Sequence, residues 1–160
     1  FAEYCRRHAL PCLILRPANI VGTGMTGLPM RMARGVARGT LMHIGGNSAN
    51  ISMVHAMDVA RLSVEMQSAP GIYNVTDGTD TTVDAFIEAL AHRIKDKNVG
   101  TLRPRWARWL YGRRYYDTLT RTLTFDASRL RRALEASGRD TAMTNVVQRL
   151  NTHQYVQDDI

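Results

Sequence analysis

Asn19 offers both a hydrogen-bond donor and an acceptor from one short side chain, a group that can grip a ligand. It stands in the run Arg16-Pro17-Ala18-Asn19-Ile20-Val21-Gly22. Pro17 cannot donate a ladder hydrogen bond, so the chain is free to leave a sheet at that point. Position alone allows Asn19 two roles, contact with a polar ligand or a turn that bonds its own backbone. His55 and Asp58 are residue types that transfer protons. At the start of a helix, however, Asp58 would stabilise the positive end of the dipole, and His55 would bond nearby backbone or pack, so a structural role is expected for both. Cys5 and Cys12 fit no metal-ligand spacing and read as small buried thiols. No metal site is expected.

The elements that must hold these residues follow from periodicity and punctuation. Phe1 to His8 reads as the end of a helix, stopped at Leu10-Pro11. Cys12-Leu13-Ile14-Leu15 is a short continuous apolar run, as in a parallel strand covered on both faces. Gly22, Gly24 and Gly27 make turns before a helix from Leu28 to Val36 that closes at Gly39. Leu41 to Ile44 and Ile51 to Val54 are strand candidates joined by the turn-rich link Gly45-Gly46-Asn47-Ser48. A helix is expected from His55 to about Gln67, and a strand over Ile72 to Val75 after Pro70-Gly71. Thr81, three residues before Asp84, predicts a capping box and a helix from about Thr82 to Ile94. Arg103 to Tyr116 has the pattern of an amphipathic helix. Asp126 caps a helix carrying Leu130 and Leu134, and a last helix runs from about Thr141 through Leu150. The tail from Gln154 to Ile160 is expected to fray. Strands alternating with helices imply an α/β unit whose ligands sit beyond the carboxyl ends of its strands.

The run from Pro11 to Gly22, then Val54-His55-Ala56-Met57-Asp58-Val59-Ala60, then Gly71-Ile72-Tyr73-Asn74-Val75-Thr76, resembles the carboxy-terminal half of the extended short-chain dehydrogenases/reductases, the NAD-dependent epimerases and dehydratases. The resemblance implies the C-terminal part of a Rossmann-like parallel sheet plus a small mixed α/β substrate-binding region over residues 1–153. It implies NAD or NADP as cofactor, with Pro17, Ala18 and Ile20 facing the nicotinamide. Asn19 would contact the substrate, with Met42 and Ile44 bordering it. The substrate it implies is a small molecule, a nucleotide sugar, worked on by hydride transfer, and a homodimer is an expectation for the full-length form. The family's His-x-x-Asp step fixes a helix against the sheet, which agrees with the structural role of His55 and Asp58.

Two departures from the family pattern stand out. Ile51 occupies the position where nucleotide-sugar enzymes of this family have an arginine that clamps the substrate diphosphate. That departure opens an alternative, a reductase of a non-nucleotide carbonyl or hydroxyl substrate such as a 3-hydroxysteroid. The family's tyrosine-x-x-x-lysine pair, its serine and its glycine-rich loop also have no counterpart within these 160 residues. Glu3 resembles the glutamate that follows this pair, so no catalytic residue is assigned here and the pair is expected ahead of Phe1. The chain alone is expected to be inactive.

Composition bounds the remaining classes. With 44% hydrophobic residues and 22% charged, the sequence reads as one globular domain. No apolar run approaches the roughly 20 residues of a membrane span, no secretory signal is visible, and a cytoplasmic location is the expectation. The net charge of +7 comes mainly from arginine, concentrated over Arg103 to Arg121 and Arg129 to Arg132. Such charge attracts phosphates of any kind. A competing reading is a basic module whose Trp106, Trp109, Tyr111, Tyr115 and Tyr116 stack nucleic-acid bases or enter a membrane surface. The favoured reading expects no nucleic-acid partner.

Overall fold

The computed structural model describes residues 2–95 and 98–151. After a short helix α1 (Ala2–Arg7), strand β1 (Leu13–Pro17) pairs in parallel with β5 (Gly71–Val75), Leu13 opposite Gly71 and Pro17 opposite Val75. Among the described residues nothing pairs with the other edge of β1. At Ala18 the chain changes sheets. Strand β2 (Asn19–Val21) runs parallel to β4 (Asn50–His55), whose other edge takes β6 (Asp80–Thr82) antiparallel. Between β2 and β4 lie helix α2 (Gly27–Arg38) and the two-residue strand β3 (His43–Ile44).

The link Gly45 to Ala49 is therefore not a hairpin. It carries the chain from one sheet to another, because β3 pairs in parallel with β7 (Thr101–Leu102) while β4 pairs elsewhere. Helix α3 (Ala56–Glu65) follows β4 and tightens into a 3₁₀ turn over Met66–Ser68 before β5. Helix α4 (Val83–Lys95) begins one residue away from the expected cap. Thr82, not Thr81, accepts the amide hydrogen of Ala85 at 3.0 Å, and the third helical position is Ala85, so the reciprocal half of a capping box is missing.

Helix α5 (Pro104–Thr120) is broken at Gly112, whose φ of 70° and ψ of 155° lie outside the helical region. A residue with a side chain would be strained there, and the glycine lets two helical pieces meet at an angle. Helix α6 (Ser128–Ala136) starts where Asp126 accepts from the amide of Ser128 at 2.8 Å. The last helix, α7 (Val146–Asn151), begins at Val146 rather than near Thr141. The physical reason is that carboxylates hold the preceding segment in an extended path: Asp140 takes the amide of Ala142 and Asp58 that of Thr144. Of the tail expected to fray, Gln154 to Ile160, every residue lies outside those described.

Strand β4 divides the interior. Ile51 and Met53 face one apolar cluster with Met32, Val36, Phe86, Leu90 and Leu119, and Val54 on the opposite face joins a second with Leu62, Met66, Val75, Leu130 and Leu134. This period of two gives each face of β4 its own core, whereas β1, the strand expected to be covered on both faces, is only half-buried over Leu13 to Leu15. Burying a side chain such as Phe86 completely contributes about 1.5–3 kcal/mol, so the two clusters fix β4, and through it β2 and the loop before it. No described helix is long and apolar enough to cross a membrane.

Candidate functional site

The candidate site is built where β1 ends. The amide of Ala18 donates to the Val75 carbonyl at 2.9 Å, closing the β1–β5 ladder, and the next residue already belongs to β2. Arg16 and Pro17 are exposed, and Ile20 keeps 37% of its surface open while Val21 beside it is buried. The loop thus lies at the surface at the carboxyl end of a parallel strand, where chemistry is placed in such sheets.

Asn19 is held rigidly. Its Nδ2 donates to the carbonyl of Ser52 at 3.0 Å, tying β2 to β4 and identifying which end of the amide faces the strand. The side chain braces a neighbouring strand, which removes one of the two roles that the sequence left open, a turn closed on its own backbone. Among the described residues nothing bonds Oδ1, so one acceptor and one remaining amide hydrogen stay available to a ligand. Ser52, fully buried, is itself anchored, its Oγ accepting the amide of Phe125 at 3.0 Å.

Gly22 closes the loop against α3. Its φ is +151°, and an added Cβ would come within 2.9 Å of the Cβ of Ala56. Next to it, His55 is 3% exposed and caps α3, its Nδ1 accepting the amide of Met57 at 3.2 Å. Burial, followed by the positive charge of Arg149, depresses the pKa of His55 from its ordinary 6.5, while Asp58 pulls the other way. A neutral ring with a lone pair on Nδ1 is what the cap requires. Asp58 is buried, and its Oδ2 accepts from Thr144 at 2.8 Å. Both residues are structural, as their sequence context suggested.

The other expected site residues lie apart from this loop. Met42 and Ile44 belong to the segment of β3, in a sheet that has no pairing with β2. Ile44 is buried within the first cluster, and half-buried Met42 presents its backbone to Tyr111, whose hydroxyl accepts the Met42 amide at 2.8 Å. Burial pushes the Tyr111 phenol up, so it stays protonated. Ile51 is 1% exposed and bridged to Leu123, so no charged group stands in its place. Cys5 and Cys12 are both free thiols, only Cys5 being fully buried. Burial and the neighbouring Cys5 raise the Cys12 thiol.

Sequence reasoning missed Asp77 altogether. It is buried in the turn after β5, its Oδ1 accepts from Thr79 at 3.0 Å, and its Oδ2 reaches Val146 at 3.3 Å. The only local sign was the turn dipeptide Asp77-Gly78. His43 was missed as well: the first turns of α4 bracket it with Asp84 at 3.1 Å and Glu88 at 2.6 Å. Among the described residues no group of three His, Cys, Asp or Glu side chains could hold a metal ion.

No protein-family model and no curated protein matches the sequence. Solved structures do. The chain is similar to an epimerase of Methanothermobacter thermautotrophicus, with a TM-score of 0.67 and 18% identity over 94% of this chain and 44% of that one. It is similar to the UDP-glucose 4-epimerase of Thermus thermophilus in complex with NAD, with a TM-score of 0.65 and 20% identity over 94% and 47%. The RMD enzyme of Pseudomonas aeruginosa, complexed with NADPH, gives a TM-score of 0.62 and 20% identity over 94% and 49%. The chain therefore spans about half the length of the structures it matches. At such identities the likeness is one of fold: a Rossmann-like parallel sheet joined to a mixed α/β region, the fold expected from the sequence.

Proposed function

We propose that this chain is the carboxy-terminal, substrate-side portion of an NAD(P)-dependent epimerase, dehydratase or reductase, and that Pro17 to Gly22 forms one wall of its cleft. The observation that carries this reading is the exit of β1: an open loop at the carboxyl end of a parallel strand, in a chain that overlays about half of enzymes of that type. The bare edge of β1 is where further strands of the sheet would join.

NAD or NADP would supply the hydride acceptor and donor. The residues at the loop fit such a group in part. Pro17 and Ile20 offer exposed apolar surface on which a planar ring can pack, whereas the amide hydrogen of Ala18 is engaged by Val75 and leaves only the carbonyl and methyl to face the cofactor. Asn19 would orient the substrate through its remaining amide hydrogen and Oδ1. Met42 would border the substrate. Ile44 would shape the floor beneath it from within the core. The substrate in this reading is a nucleotide sugar. One observation favours a second reading, a reductase of a non-nucleotide carbonyl or alcohol: the buried Ile51 provides no cation for a diphosphate.

The test is activity with and without the expected partner half. The chain alone should show no NAD(P)-dependent turnover. Joined to a polypeptide that carries a glycine-rich loop and a Tyr-x-x-x-Lys pair, it should turn over, and Asn19→Ala should lower kcat/KM about 10- to 100-fold with cofactor affinity unchanged. Turnover by the chain alone, or an unchanged kcat/KM in the variant, defeats the proposal.

A further inference from the structure

The positive charge has a focus that the reading above does not use. Arg31, Arg34 and Arg38 follow one another at three and four positions along α2, a helix without a single acidic residue. Side chains at that spacing are neighbours, and like charges there destabilise a helix. A favourable interaction with the helix dipole accounts for Arg38 in the last turn but not for Arg31 or Arg34, since the effect fades beyond that turn. No described carboxylate pairs with any of the three.

The three arginines also line a cavity of about 650 Å³. Its opposite side is formed by Leu110, Tyr111 and Tyr115 of α5, and its base by Thr40, Leu41 and Met42. The two tyrosines meet edge to face at 5.9 Å, and the guanidinium of Arg31 lies 4.2 Å above the ring of Tyr115, which holds it in place. The Tyr111 hydroxyl is engaged by the Met42 backbone, so this wall offers a ligand ring faces and apolar carbon. Gly35 lets the chain turn back tightly beneath the cavity, because a Cβ there would sit 2.8 Å from that of Leu41. A volume in the range of small-molecule sites exceeds what a lone phosphate fills.

We propose that the cavity between α2 and α5 binds an organic phosphate, its phosphoryl group on Arg31, Arg34 and Arg38 and its apolar or ring portion against Leu110, Tyr111 and Tyr115. Guanidinium groups suit this task, since their forked donors match phosphate oxygens. The cavity shares Met42 with the substrate-bordering residues proposed above, but its arginines and aromatic wall are residues which that reading does not use, so it is tested without cofactor or turnover.

Calorimetric titration of the 160-residue chain with phenyl phosphate and with inorganic phosphate tests it. Phenyl phosphate should bind saturably and several-fold more tightly than inorganic phosphate. The double substitution R34Q/R38Q, on exposed helix positions, should weaken binding about tenfold or more, and R105Q/R108Q, which removes the same charge outside the cavity, should change it less than about twofold. Absence of saturable binding overturns the proposal. So does equal loss in the two double variants, which would mean diffuse attraction to a basic surface, or equal affinity for the two probes, which would leave the aromatic wall without a role.

Discussion

The carboxylate of Asp58, in the first turn of α3, accepts the backbone amide of Thr144 at 2.8 Å across 86 positions of sequence. Asp77 does the same for Val146 from the turn after β5. Two buried carboxylates from separate elements thus seat α7, whose Val146 and Leu150 complete the cluster beneath α4. Replacing Asp58 by alanine leaves a buried amide without a partner and should cost about 1–3 kcal/mol. Asp58→Asn keeps an acceptor and should cost less. Urea denaturation measures both, and an alanine variant as stable as the parent would remove this role.

His55 should make stability depend on pH. Its folded pKa is depressed, so the unfolded chain takes up the proton first as pH falls. The contribution is complete above the ordinary value of 6.5 and is lost as pH drops through the depressed folded value. Asparagine also caps helices and does not titrate in this range. His55→Asn should therefore gain on the parent between about pH 7.5 and about pH 5, read as the difference of two denaturation curves. Parallel pH profiles would count against the assignment.

Gly22→Ala should be among the more damaging small substitutions. The φ of +151° disfavours any side chain, and the new methyl would press on Ala56 at 2.9 Å. A loss of about 1–3 kcal/mol is expected, measurable as a lowered Tm. Ala at Gly24, where an added Cβ meets nothing within 4 Å, is the matched comparison and should lose less.

Asn19→Ala removes the bond to Ser52 and should cost about 0.5–1.5 kcal/mol in the chain alone. Asn19→Asp places a carboxylate against a carbonyl oxygen and should cost more. Denaturation midpoints that rank the two in the reverse order would show that the side chain does not hold β2 to β4 as found.

Elements whose signal is local were legible in the sequence. The apolar run of β1, the helical spacing of Leu28, Met32 and Val36 in α2, and the Pro70-Gly71 turn into β5 all reflect forces acting within a few residues. Partners distant in sequence were not legible. Nothing near His43 announces that β3 pairs with β7 rather than with β4, and nothing near Asp77 points to Val146. The start of α7 was misplaced because the amides ahead of it are satisfied by Asp58 and Asp140, only one of which is a neighbour. Gly112, inside a helical pattern, was a visible sign of the break in α5. At the candidate site, the chain's exit at Pro17 could be read from one residue's chemistry, whereas the bracing of Asn19 by Ser52 depends on a strand pairing formed by residues far apart.

The bare flank of β1 has a practical consequence. Leu13-Ile14-Leu15 carries no charged side chain and, among the described residues, one of its edges has no pairing strand, and such a strip adheres to any extended peptide that comes near. Purified by itself and concentrated, this polypeptide should zip onto its own kind and drift toward clumping. A lysine introduced at Ile14 would keep the preparation monodisperse.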